Sequence, residues 1–216
     1  MKNNYKAVFF DLDGTLVFTN KDYISRTVQS TLRKIKNIAW NKEKAVYFWF
    51  NYKRDSMLKE ENIPVTTFWN VFNSIDNHEE RLKNTKTYED IEFLKKLKDD
   101  GLKIGIVTAC DSEVAEKEVD MIGREYIDSY LSANSYNKIA KPKPHPESAY
   151  RLMKSFNIRP EKIIMVGDGE EDILLAKNAG MYGVLIDRNL NPVKSTVKPD
   201  KKINSLYELE GIIRHN

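Results

Sequence analysis

Residues 6–16 read Lys6-Ala7-Val8-Phe9-Phe10-Asp11-Leu12-Asp13-Gly14-Thr15-Leu16, and how this stretch starts and stops decides the fold. Residues 6–10 form a short, nearly continuous apolar run, the pattern of a strand covered on both faces. The run ends at two carboxylates and a glycine. In extended chain, side chains two apart point the same way, so Asp11 and Asp13 can face one pocket while Leu12 turns to the core. Gly14 then lets the chain turn sharply. In an open α/β sheet, ligands bind outside the carboxyl ends of the strands, and that is where these acids fall.

Three more apolar runs follow, at residues 102–108, 163–167 and 182–187. Helical patterns alternate with them. Residues 88–100 carry Ile91, Leu94 and Leu97 before Gly101, the exit signal of a helix. Residues 146–157 open on Pro146 and carry Ala149, Leu152, Met153 and Phe156, with proline suited to a first turn. Residues 170–179 carry Ile173, Leu174, Leu175 and Ala176 and stop at Gly180. A last helix opens on Ser205-Leu206-Tyr207-Glu208, a capping-box pattern. The alternation predicts an α/β fold with a doubly wound, Rossmann-like parallel sheet. Residues 17–86 break it. They show no strand, only helical stretches rich in aromatics such as Trp40, Phe48, Trp49, Phe68 and Phe72. That length far exceeds a βα connection, so an inserted small α-helical domain is expected at 17–86, on a core of 1–16 and 87–216.

Composition sets the outer limits. The 216 residues are 41% hydrophobic and 31% charged with a formal net charge of +3, which fits a folded, water-exposed domain rather than a disordered chain. No apolar run approaches the ~20 residues of a membrane helix. Lysines are interleaved with acids, as in Lys95-Lys96-Leu97-Lys98-Asp99-Asp100, so no nucleic-acid-binding face is expected. The single cysteine, Cys110, excludes an internal disulfide. The N-terminal Met1-Lys2-Asn3-Asn4-Tyr5-Lys6 has no signal-peptide pattern, and a cytoplasmic location is expected.

The chemistry gathers at strand ends. Two carboxylates as close as Asp11 and Asp13 repel unless a cation lies between them, and magnesium, which takes hard oxygen ligands, suits such a site. A second acidic group, Gly167-Asp168-Gly169-Glu170-Glu171-Asp172, also follows a strand and opens a helix. Asp172 stands where a dinucleotide-binding loop needs its third glycine and would repel a pyrophosphate. Asp168 therefore reads as a metal ligand and Asp172 as a group that orients the site. Thr108, at the end of the second run, offers a hydroxyl and the backbone N–H groups that follow it to a phosphate oxygen. Lys143, in Lys141-Pro142-Lys143-Pro144-His145-Pro146, offers a positive charge on a proline-stiffened loop.

This set resembles the haloacid dehalogenase-like hydrolase superfamily, in particular its phosphoglycolate phosphatase-like branch. Asp11-Leu12-Asp13-Gly14-Thr15 matches the nucleophile motif, Thr108 the second, Lys143-Pro144-His145-Pro146 the third, and Gly167-Asp168 with Asp172 the fourth. The asparagine that often follows the second motif is Ala109 here. Lys143 precedes Asp168 by 25 residues, which aligns with the family without a gap, whereas Lys141, at 27, needs an insertion. The helical insert looks like the family's small cap. The resemblance implies Asp11 as nucleophile and Asp13 as acid/base. It implies Mg2+ held by Asp11, Asp168 and the Asp13 backbone carbonyl, with Thr108, Ala109 and Lys143 on the phosphoryl oxygens and Asp172 in support. The implied activity is hydrolysis of a small phosphorylated metabolite by a monomer or homodimer. The alternatives are a phosphomutase of the same superfamily and, from another class, a non-catalytic phosphate-binding protein.

Overall fold

The computed structural model describes residues 5–134 and 139–215. Residues 1–4 of the signal-peptide reading lie outside them, as do the outermost residues of the expected core.

The first apolar run forms β1 (Ala7–Phe10). The chain turns at Gly14 into β2 (Val17–Thr19) and enters five helices: α1 (Lys21–Lys36), α2 (Lys42–Phe50), α3 (Arg54–Glu60), α4 (Val65–Ile75) and α5 (His78–Lys83). It returns through β3 (Thr85–Thr87), a 3-10 turn at Glu89–Glu92 and α6 (Phe93–Asp99). There follow β4 (Lys103–Thr108), α7 (Ser112–Ile122), β5 (Ser129–Ser132) and α8 (Glu147–Phe156). The chain closes with β6 (Ile163–Gly167), α9 (Glu170–Ala179), β7 (Tyr182–Ile186), β8 (Lys201–Ile203) and α10 (Leu209–His215).

Six strands form one parallel sheet in the order β5-β4-β1-β6-β7-β8. β1 is central and fully buried. Its alternate residues feed two cores. Val8 and Phe10 pack with Leu94, Val114, Val119 and Ile212 on one face. Ala7 and Phe9 pack with Leu152, Leu175 and Ala176 on the other. Complete burial of Phe9 and Phe10 contributes roughly 1.5–3 kcal/mol each. The fold is therefore the doubly wound α/β arrangement predicted from the alternation of runs.

Register determines which residues meet. Phe10 lies opposite Ile106 of β4 and Val166 of β6. The residues just beyond (Asp11, Thr108 and Asp168) thus emerge at one edge, where the connection after β1 leads to β4 and the one after β6 leads the other way to β7. Such a switch point opens a crevice at the sheet edge.

One expectation needs correction. Residues 17–86 are not free of strand: β2 pairs antiparallel with β3 as a two-stranded ribbon at the foot of the helical segment. Three residues are too few to display an alternating pattern, and the pairing joins positions far apart in sequence, sealed by a Thr19–Thr85 hydroxyl contact of 2.9 Å. The edge strands β5 and β8 were also illegible. They are short and polar, with Ser129 and Ser132 in one and Lys201 and Lys202 in the other, as edges that must resist pairing often are. The helical segment has its own apolar cluster, drawn from residues 24–72 and centred on Phe48, Phe68 and Trp69.

Candidate active site

Asp11 follows β1 directly, and its backbone N–H donates to the Val166 carbonyl at 2.9 Å, which locks the start of the loop to the neighbouring strand. Gly14 has φ +84°, and a Cβ there would lie 2.5 Å from Asp168 Oδ2. Only glycine serves both needs: a left-handed backbone and room for the opposing carboxylate. Gly167 is similarly constrained, since a Cβ would lie 2.1 Å from the Asp172 Cγ.

Carboxylate oxygens of Asp11, Asp168 and Asp172 all lie within 4.8 Å of one another. Lys143 enters from the loop before α8 and is buried. Its Nζ donates to Asp11 Oδ1 and, at 2.7 Å, to Asp172 Oδ1. Lys141 is exposed, and among the described residues it bonds locally, through its backbone N–H to Glu147 Oε2 at 3.2 Å. Asp172 Oδ2 accepts the Gly169 N–H at 3.1 Å, so both its oxygens are engaged by the chain. Thr108 is buried at the end of β4, its Oγ1 accepting the Cys110 N–H at 3.0 Å. Asp11, Asp13, Thr108, Ala109, Lys143 and Asp168 line one cavity of about 140 Å3. The side chain of Asp172 stands behind Lys143 rather than in the lining. Asp13 lines the cavity, but its carboxylate belongs to a different group, with Cys110 and Glu118.

The electrostatics are unbalanced. Burial works against the charge on Lys143, yet Asp11 and Asp172 outweigh it and hold the ammonium above its ordinary range. Burial, reinforced by Asp11 and Asp172, pushes the Asp168 carboxyl well up. Burial, opposed by Lys143 and reinforced by Asp11 and Glu171, pushes Asp172 up to about 8. One lysine is set against three close carboxyl groups, two of them buried, and every donor is a hard oxygen. This donor set fits a divalent cation of the magnesium type, with Asp11 and Asp168 as the side chains that would hold it.

Two residues at the site, Asn191 and Arg81, carried no sequence signal. Asn191 donates from Nδ2 to Asp168 Oδ2 at 3.1 Å and to its carbonyl at 3.2 Å. Arg81 of α5 donates to Asp13 Oδ2 at 3.2 Å. Trp49, Phe50 and Tyr52 at the end of α2 line the cavity while Phe48 is core, so the aromatic run is divided between packing and pocket. Nothing local marks a lone asparagine, or an arginine on a charged helix, as part of a site. Each is recruited by a contact spanning 23 or more residues.

Comparison with known proteins places this geometry. Residues 8–186 match the haloacid dehalogenase-like hydrolase family. The chain is 30% identical over 214 residues to a pyrophosphatase PpaX from Bacillus anthracis, covering 96% of this chain and 95% of that protein. It resembles the crystal structure of a phosphatase from Thermococcus onnurineus, at 26% identity and a TM-score of 0.67, over 97% of this chain and 98% of that one. A predicted phosphoglycolate phosphatase from Haemophilus somnus shares the fold, with a TM-score of 0.78 at 23% identity over 98% of this chain and 99% of that one.

Proposed function

We propose, for a chain that belongs to the haloacid dehalogenase-like hydrolase family, that it is a magnesium-dependent phosphatase cleaving a small phosphomonoester through an aspartyl-phosphate on Asp11. The observation that carries this reading is the meeting of Asp11, Lys143 and Asp168 at one sheet edge. A nucleophile, a phosphate-neutralising cation and a metal ligand are thereby within reach of one phosphoryl group.

In this reading an Asp11 carboxylate oxygen attacks phosphorus, and the ester oxygen leaves with a proton from Asp13. Asp13, now ionised, takes a proton from the water that hydrolyses the aspartyl-phosphate and restores Asp11. Burial raises the Asp13 carboxyl above its ordinary range, with Arg81 opposing and Asp11 adding to the effect, the direction that suits a proton donor. Lys143, the Thr108 hydroxyl and the Ala109 N–H hold the phosphoryl oxygens. Asp172 keeps Lys143 aimed at Asp11 through its own bond to Nζ. Magnesium, held by Asp11, Asp168 and the Asp13 backbone carbonyl, would supply charge neutralisation to the phosphoryl group.

The division into a catalytic core of 1–16 and 87–216 and a helical cap of 17–86 belongs to the same reading. It is supported by the separate apolar cluster of residues 24–72 and by the β2–β3 ribbon at the junction. A cavity of about 140 Å3 favours a small substrate. No helix among the described residues is long and apolar enough to cross a membrane; a cytoplasmic monomer or homodimer is the reading we adopt.

The test is phosphate release with magnesium from a panel that includes p-nitrophenyl phosphate, pyrophosphate, phosphoglycolate and sugar phosphates. Turnover is expected on at least one, and a requirement for a bisphosphate activator would point to a mutase instead. Asp11→Asn is expected to lose essentially all turnover while still unfolding cooperatively. Metal-dependent turnover in that folded variant would remove Asp11 as nucleophile. Magnesium is expected to raise the melting temperature of the wild type and not of Asp168→Asn; an equal rise in both would remove Asp168 as a ligand.

A further inference from the structure

Arg81 stands out among the cations near the cavity because the phosphatase reading gives it nothing to do. It comes from α5, in the helical segment, and is buried. Its Nη2 donates to Asp13 Oδ2 at 3.2 Å and to Cys110 Sγ at 3.5 Å, and its Nη1 to Asp76 Oδ2 at 3.4 Å. Glu118 Oε1, from α7 in the core, lies 3.8 Å from Nη2. The guanidinium also lies over the Trp49 ring at 5.1 Å. Asp76 is itself fixed, accepting the Tyr23 hydroxyl at 2.7 Å.

A buried guanidinium among three carboxylates is a poor way merely to attach a helix, because apolar side chains of similar volume do that at equal or lower cost. What the arrangement does supply is direction. The planar fork fixes the bearing of each carboxylate it touches, and one of them is the acid/base of the proposed reaction. We propose that Arg81 is a positioning residue for Asp13: by holding Oδ2, it presents the other carboxylate oxygen to the leaving-group oxygen of a substrate seated on Asp11. Asp76 and Glu118 keep the fork in place from the helical segment and from the core. The inference rests on the phosphatase reading and adds a residue of the helical segment to its machinery. A displacement of about 1 Å in such a group costs roughly 100-fold in rate.

The test compares p-nitrophenyl phosphate with phenyl phosphate, esters of similar shape whose leaving groups differ in their need for a proton. p-Nitrophenolate departs unprotonated; phenolate is the poorer leaving group. Wild type, Arg81→Met and Arg81→Lys are assayed with magnesium, alongside melting curves. Arg81→Met is expected to lower kcat on phenyl phosphate about tenfold more than on p-nitrophenyl phosphate, with KM changed less than about twofold and part of kcat recovered in Arg81→Lys. Equal losses on the two esters would overturn the positioning role. A loss carried by KM would also overturn it and make Arg81 a substrate ligand. If Arg81→Met does not melt cooperatively, Asp76→Asn, which frees one arm of the fork, takes its place with the same expected contrast and the same overturning result. A wild type inactive on both esters and on the rest of the panel would overturn the phosphatase reading itself, and the positioning role with it; where it turns over only another panel member, Arg81→Met is compared with wild type on that substrate, and a loss carried by KM instead of kcat overturns the positioning role alone.

Discussion

Gly14 and Lys143 show how little side-chain freedom the site has. At Gly14 a left-handed backbone coincides with a Cβ position 2.5 Å from Asp168, so no other residue fits without moving a candidate metal ligand. Lys143 is the only cation that bonds both Asp11 and Asp172 among the described residues. Removing one partner of a buried charge cluster leaves the others uncompensated, which costs about 3–5 kcal/mol. Lys143→Met is therefore expected to destabilise the metal-free protein by about 3 kcal/mol, read as a fall in the urea midpoint at constant m-value. A neutral effect would mean that the acids already carry their own protons at that pH.

At the level of elements, the helical segment depends on its own aromatic packing. Phe48 of α2 is fully buried, with ring centroids 5.5 Å from Trp40 and 5.0 Å from Phe68. Phe48→Ala is expected to cost about 3–5 kcal/mol, measured by urea unfolding, and to raise proteolytic cleavage within residues 20–76 while the sheet resists. Uniform cleavage along the chain would mean that the helical segment and the sheet unfold as one unit. The link between them is polar: Tyr52 of the helical segment donates to Glu170 Oε1 at 3.1 Å, and Arg81 reaches Asp13. Contacts of this kind orient two layers at small net energy, whereas the Phe48 cluster supplies stability.

Across the whole molecule, Asp90 and Arg188 tie the ends of the chain to the nucleophile loop. Arg188 donates to both Asp90 oxygens at 2.7 and 2.9 Å and to the Thr15 carbonyl at 3.0 Å. Ser205 and the Leu206 N–H also donate to Asp90 Oδ2. Burial alone would raise the Asp90 carboxyl, but Arg188 and these donors prevail and hold it below its ordinary value. A depressed folded-state value means that the stabilisation is present above the unfolded value, about 3.9, and is lost as pH falls through the folded one. Asp90→Asn is expected to flatten the acid limb of stability below about pH 4, measured by melting temperature against pH; an unchanged limb would remove Asp90 as an acid-sensitive tie. None of this network was legible, since Asp90 and Arg188 are 98 residues apart. Local pattern was enough for the buried strands, the doubly wound class and the strand-end positions of Asp11, Thr108 and Asp168, because apolar periodicity and turn residues act over a few neighbours; Lys143 sits instead in the loop before α8. The β2–β3 ribbon, the edge strands, Asn191 and the Arg81–Asp13 pair were decided only by the tertiary structure. Their partners are distant in sequence, and contacts of that kind exist only once the chain has closed on itself.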